Sequence, residues 1–432
     1  MTFEKTFCTS PWFHMRITNS GSYESCRWQS KHVETKINFN HNIRNQTPLN
    51  YFQTTMSDLR QQLLDGHDPA ICNECRIMEK HNKISGRLRQ LLKAGIQETM
   101  FEKTLASSPL RADLDYSDQN KGHTNRTVSD WQINLGNHCN GACVFCSPDW
   151  SSRLAAEFVQ IGMINQVPNS SWCEDPVLLE KFVKDLQACD HIHYLHFIGG
   201  ETLITPGFEK ILTALTDCGL ADQITIGFTT NLTVWRDNVV DLLTQFKNVN
   251  LGMSIETMTA LNDYVRWPSQ IGKATGLLDR WIETGRKHNW LIQFRITPTC
   301  LTLHELHTVY DYAWQHNIAV ESCNFLDRPE FMRISVLPLE QRTRARQNLS
   351  NWIDQHQTTN ADTVVNTRDP HRAHDQIIQD AQSYLNYLDQ APDESVRLPA
   401  LVDYLKRLEH NRGNSILTYL PEYETLFRSA GY

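Results

Sequence analysis

From about Ile133 to Phe325, short apolar runs of strand character alternate with longer amphipathic stretches, and this alternation limits the possible folds more than any other feature. The strand-like runs are Trp131 to Leu135, Ile192 to Ile198, Gln223 to Thr229, Val249 to Ile255, Leu291 to Thr297 and Ala319 to Phe325. Between them, Pro176 to Ala188, Gly207 to Cys218 and Asn238 to Phe246 have helical spacing. Parallel strands need a crossover connection and a helix supplies it, so the repeated unit implies an α/β fold around a parallel sheet. In such sheets, open or closed into a barrel, ligands gather at the carboxyl ends of the strands.

The chain has 432 residues, which at roughly 150 residues per domain allows two or three domains. Residues 1–85 carry four cysteines, several turn signals and a helix-like run from Ser57 to Asp65, as expected of a small metal-stabilised domain. Residues 86–126, opening with the basic stretch Arg87, Arg89 and Lys93, read as a connector, and residues 127–337 as the core. Residues 338–432 read as a mostly helical extension interrupted by the polar stretch 355–375, with Leu401, Leu405 and Leu408 at helical spacing. The formal charge of −8 argues against a general nucleic-acid binder. The start of the chain lacks an apolar signal region, and nowhere does an apolar run reach the ~18 residues of a membrane span. A cytoplasmic, soluble protein is expected.

Twelve cysteines in such a chain point to metal or redox chemistry rather than disulfides. Cys173, Cys189, Cys218, Cys300 and Cys323 are scattered and read as core residues. Cys139, Cys143 and Cys146 form a C-x3-C-x2-C triplet just after the first strand-like run. Three thiolates at this spacing hold three irons of a 4Fe-4S cubane and leave the fourth open to a ligand that is not protein. About 50 residues on, the strand Ile192 to Ile198 runs into Gly199-Gly200-Glu201, where two glycines permit close backbone approach to a ligand. Thr230-Asn231 and Ser254-Ile255-Glu256 place polar groups at the ends of the next two strands.

The triplet and the Gly-Gly-Glu element resemble the radical S-adenosylmethionine (SAM) superfamily. That resemblance implies a partial (β/α)6 TIM-like barrel in which the methionine end of SAM chelates the open iron. By the same resemblance Gly199, Gly200 and Glu201 receive the methionine ammonium, and Ser254 and Glu256 face the SAM ribose or carboxylate. Arg266 pairs with that carboxylate, Phe145 lies near the adenine, and Asn231 is a ligand contact or a turn residue. The family more often has Asp where Glu256 stands. The implied chemistry is reductive cleavage of SAM to a 5'-deoxyadenosyl radical that removes hydrogen from a peptide, an amino-acid derivative or a small metabolite. A flavodoxin- or ferredoxin-type electron donor is implied as partner.

Cys8, Cys26, Cys72 and Cys75 form the second group, and four thiolates fully ligate either zinc or a second 4Fe-4S cluster. The Pro11-Trp12 pair after Cys8, the glycine turn before Cys26, Leu59-Arg60 and the final C-x2-C resemble Twitch and SPASM auxiliary-cluster domains, which favours iron and sulfur. Those domains commonly follow the barrel, whereas here the group precedes it. Cys323 and Cys300 stand as candidate hydrogen-atom donors, with core packing the competing role. Two other classes stay open: a non-catalytic iron-sulfur or zinc protein, and an RNA-modifying radical SAM enzyme using Arg76, Lys80, Lys83, Arg87 and Arg89.

Overall fold

The computed structural model describes residues 3–27, 29, 41–80, 85–168, 171–322, 326–356 and 373–432. Among these, eight strands form one open sheet in the order β2-β1-β3-β4-β5-β6-β7-β8. Six of them, β3 (Asp130–Asn134), β4 (Tyr194–Ile198), β5 (Thr225–Thr230), β6 (Asn248–Ser254), β7 (Leu291–Ile296) and β8 (Ala319–Ser322), are parallel and in chain order. They match the six strand-like runs of the sequence and form a mostly parallel sheet that does not close, as in a partial TIM-like barrel.

The sheet does not begin at β3. Strand β1 (His14–Ile17) pairs parallel to β3 with His14 beside Asp130 and Ile17 beside Ile133, and β2 (Tyr23–Glu24) turns back antiparallel at the edge. The first 85 residues therefore share the sheet of the core. They also build a second apolar core, in which Phe7, Trp12 and Leu63 pack with Leu91, Ile96, Phe101, Leu105, Leu110 and Leu114 from the stretch first read as a connector. Buried arginines tie this part together: Arg60 in helix α1 (Ser57–Leu64) donates to the carbonyls of Pro11 and Gly122. Arg76 in α2 (Asn73–Lys80) pairs with Asp68, and Arg87 in α3 (Gly86–Lys93) with Glu79 and Glu98.

The crossover helices follow from local chemistry. In α5 (Pro176–Gln187) Asp175 accepts from the amides of Val177 and Leu178 and Pro176 fills the first turn, while Leu179, Phe182, Val183 and Leu186 recur at helical spacing and are buried. Helices α4 (Ser152–Gln160), α6 (Pro206–Asp217), α7 (Asp237–Leu243), α8 (Ile271–Lys287) and α9 (Leu306–Gln315) complete the layer. The C-terminal part adds α10 (Leu339–His356), α11 (Ala373–Gln390) and α12 (Leu398–Arg412). Leu401, Leu405 and Leu408 of α12 are fully buried in the main core. No described helix is long and apolar enough to cross a membrane. Of the scattered cysteines, Cys173, Cys189 and Cys300 are buried as expected, but Cys218 is exposed at the end of α6, where its helix faces solvent.

Candidate active site at the carboxyl ends of the strands

The triplet lies on the loop between β3 and α4. The Sγ atoms of Cys139 and Cys143 both come within 3.8 Å of the point where a Cβ on Gly141 would stand, so this glycine leaves the space between two thiols open. The loop is held by the start of α4. Ser151 caps the helix by accepting from the Leu154 amide and donates to the Gly141 carbonyl at 2.6 Å, and Ser152 Oγ accepts from the Cys139 amide. Burial raises the Cys139 thiol to about 11 and the Cys146 thiol to about 12, the neighbouring cysteines adding to both, and it raises Cys143 as well. Thiols of this kind are protonated at neutral pH, so iron binding must displace protons. Among the described residues no group of three or more His, Cys, Asp and Glu side chains is drawn together tightly enough for a single metal ion.

Gly199 and Gly200 do approach something closely, and in this structure it is the cysteine loop. A Cβ on Gly199, whose φ is +141°, would meet the Gly136 carbonyl at 2.5 Å, and one on Gly200 would meet the His138 carbonyl at 2.1 Å. Gly200 and Glu201 donate their amides to those same carbonyls at 3.0 and 2.9 Å. The glycines thus dock the end of β4 on the triplet loop. The Glu201 carboxylate, expected to face a ligand, accepts from Thr230 Oγ1 at 2.9 Å and from the amides of Leu203 and Asn231 at 3.2 and 2.6 Å. Burial raises it to about 7 against those hydrogen bonds.

Asn231 reaches back to the triplet loop. Its Nδ2 donates to Asn140 Oδ1 at 2.9 Å, and Asn140 Nδ2 donates to Thr233 Oγ1 at 2.8 Å. Leu232 between them is buried with φ of +59°, a left-handed conformation that is costly for a branched side chain. Ser254 ends β6 half-buried. Glu256 and Arg266 form a buried ion pair at 2.9 Å, and the Thr297 amide donates to the other Glu256 oxygen at 2.7 Å. Burial raises Glu256 to about 7 although Arg266 acts in the opposite direction. The Arg266 guanidinium lies 6.0 Å from the Phe145 ring. A cavity of about 160 Å³ opens here, bordered by Gly141, Cys143, Arg153, Asn231, Arg266 and Ser269 among others. The Cys143 thiol, the Arg266 guanidinium and the Asn140 and Asn231 amides border this one cavity, a set of groups that fits an iron-sulfur cluster bearing an amino acid: Cys143, with Cys139 and Cys146 of the same loop, would hold the cluster and Arg266 a carboxylate.

Several contributors were invisible in the sequence because their partners are distant in it. Tyr404 of α12 donates to the Val144 carbonyl at 2.8 Å. Arg412 donates to the Ala142 carbonyl at 2.8 Å and pairs with Glu157 of α4 at 2.6 Å, both nearly fully buried. Helix α12 therefore clamps the triplet loop. Only its apolar spacing was readable beforehand.

In the N-terminal group, Cys8, Cys72 and Cys75 are close enough for the charges of the latter two to act on Cys8, whose thiol burial raises to about 12. Burial likewise raises Cys72 to about 12. Cys26 follows the β1–β2 hairpin next to Ser25, whose carbonyl accepts from Ser10 Oγ just beyond Cys8. Cys300 is fully buried in the main core with its thiol directed at the Phe331 carbonyl. It does not border the cavity beside the triplet. Cys323 lies outside the described residues.

Residues 133–289 match the family model described as the radical SAM superfamily. No functionally curated protein matches the chain in sequence. Among solved structures, the chain is similar to Streptococcus suis SuiB bound to S-adenosylmethionine, at 15% identity over 70% of this chain and 64% of that one, with a TM-score of 0.34. SuiB bound to precursor peptide SuiA gives 15% over 69% and 63% with a TM-score of 0.36, and anSMEcpe with bound AdoMet gives 18% over 52% and 60% with 0.37. The chain spans less than two thirds of the length of each of these. The family match begins in β3 and ends past α8, so the segment that is similar to the radical SAM superfamily takes in the cysteine triplet, Gly199-Gly200-Glu201 and the Glu256–Arg266 pair.

Proposed function

We propose that the protein is a radical SAM oxidoreductase or tailoring enzyme acting on a peptide, an amino-acid derivative or a small metabolite. The observation that supports this best is the cavity shared by Cys143, Asn231 and Arg266, since it sets the triplet beside a group able to hold a carboxylate. When bound, the cluster and SAM supply reductive cleavage of a carbon–sulfur bond and a carbon radical that removes hydrogen from substrate. The chain's own residues do the positioning. Arg266, held by Glu256, offers a guanidinium to the SAM carboxylate, Phe145 gives an apolar face beside it, and Asn140, Asn231 and Thr233 lock the triplet loop to the end of β5. Ser254, Gly199, Gly200 and Glu201 complete the SAM-facing rim in this reading.

The N-terminal group is proposed as an auxiliary 4Fe-4S site of the Twitch or SPASM kind on Cys8, Cys26, Cys72 and Cys75, serving electron transfer or support. A flavodoxin or ferredoxin is the proposed reductant. The RNA reading loses support because Arg76 and Arg87 are buried in ion pairs. Lys83 of that stretch lies outside the described residues.

The test is anaerobic reconstitution with iron and sulfide followed by SAM and a low-potential reductant. Formation of 5'-deoxyadenosine is expected, and its loss in Cys143→Ala. Intact clusters with no 5'-deoxyadenosine would favour the non-catalytic alternative.

A further inference from the structure

The cavity that Cys143 and Arg266 border opens between Arg153 of α4, Thr233 after β5, and Pro268 and Ser269 just before α8. Its rim continues onto the first turns of α8 and the loop between β5 and α7. Lys273, Gly276 and Arg280 of α8 stand at i, i+3 and i+7, on one face of the helix, and all three are exposed. The Arg280 guanidinium lies 3.9 Å from the centre of the Trp235 ring, which joins that helix face to the loop two residues past Thr233. Trp235 is half-buried, as are Trp267 and Pro268 ahead of the helix.

The acids next to this rim are already engaged. Asp237 pairs with Arg280 at 2.8 Å and accepts from Trp235 Nε1 at 2.8 Å, and Asp263 accepts from the Ile271 amide at the start of α8. Glu157, one turn beyond Arg153, is held by Arg412. Among the described residues no carboxylate pairs with Arg153 or Lys273, and both side chains are exposed. Arg153 donates instead to the Asn140 carbonyl at 3.4 Å, so one of these two cations touches the triplet loop itself. Unmatched cations around a half-buried indole form an unusual surface in a chain whose net charge is −8. Trp and Arg anchor protein interfaces, and complementary charge around them selects the partner and speeds its arrival. An acidic partner is repelled by most of this chain and attracted here.

We propose that this rim docks a small acidic one-electron carrier protein, the reductant of the cluster that the triplet would hold. The assignment rests on the radical SAM reading and adds to it the face that receives the carrier, formed by Arg153, Trp235, Lys273 and Arg280. One electron leaves the carrier's flavin or iron-sulfur centre and is gained by the cluster, and no proton or group moves with it. The rim suits this because it borders the cavity shared by Cys143, so a carrier seated on it stands next to the triplet loop.

Calorimetry on the full, anaerobically reconstituted chain tests this, with a flavodoxin and, separately, a ferredoxin as probes. At least one carrier is expected to bind, about tenfold more weakly at ~0.5 M than at ~0.05 M salt, because screening removes the attraction between surface charges. Lys273→Glu combined with Gly276→Glu, whose added Cβ would meet nothing within 4 Å, should weaken that binding about tenfold or more. The thermal transition and the 5'-deoxyadenosine formed with dithionite should stay unchanged, since dithionite does not dock. Lys287→Glu, a charge reversal at the far, exposed end of α8, should have little effect. Binding of neither carrier, indifference to the Lys273→Glu, Gly276→Glu variant, or an equally large effect of Lys287→Glu would overturn the proposal. So would equal binding of a basic carrier such as cytochrome c. Dithionite-driven turnover is a separate result: if it is absent while carrier binding follows Lys273, the radical SAM reading fails and the docking face stands.

Discussion

Single residues around the triplet act mostly on one another. Glu256 is buried against Arg266, and removing one partner of a buried ion pair costs about 3–5 kcal/mol because the other charge is left unpaired. Glu256 can escape by taking a proton. Its folded-state pKa of about 7 lies above the unfolded value of ~4.3, so between these values the fold binds more protons and loses stability as pH rises. Arg266→Met should therefore destabilise the apoprotein more at pH ~8 than at pH ~6, read by urea unfolding at both. His196 has the opposite sign. Its folded pKa, about 3, lies below the unfolded ~6.5, so stability is lost as pH falls through that interval, and His196→Gln should flatten the dependence. Gly200→Ala places a methyl 2.1 Å from the His138 carbonyl, which is backbone and cannot rotate away. Displacement of the triplet loop is expected, seen as reduced cluster absorbance in a protein that still folds.

At the scale of elements, α12 is the piece whose role changed most once the chain was folded. As sequence it was an amphipathic helix with leucines at helical spacing. In the structure its polar side grips the triplet loop through Tyr404 and Arg412. Tyr404→Phe removes one hydrogen bond, worth about 1 kcal/mol, and leaves the ring packed. Arg412→Met takes the cation from Glu157, leaving it the Asn411 amide as a donor, and should cost several times more, with faster loss of iron to a chelator than in Tyr404→Phe. Strand β1 shows the same limit of local reading. Four residues, His14–Ile17, do not stand out by periodicity in a cysteine-rich segment, yet they extend the sheet beside β3.

For the whole molecule, iron content distinguishes the proposed two-cluster enzyme from a one-cluster one. Two cubanes give about eight irons per chain and one gives about four. A Cys8→Ala, Cys75→Ala double variant should fall from about eight to about four while 5'-deoxyadenosine formation stays measurable, whereas loss of both clusters would show that the halves do not form independently. The shared sheet and the buried arginines of the N-terminal part make such coupling physically reasonable to test.

Features set by neighbours in the chain were legible from order alone: the six parallel strands, three of the crossover helices and the close spacing of the cysteine triplet. Each depends on spacing within one turn, strand or loop, and spacing survives in a string of letters. The partners were not legible. That Glu201 is tied to Thr230 and Asn231, that the Gly-Gly pair docks on the triplet loop, and that Arg153, Thr233 and Ser269 border one cavity depend on contacts between residues far apart in the chain. Such contacts exist only once the sheet has twisted and the helices have packed, because burial and charge pairing are properties of the space between elements.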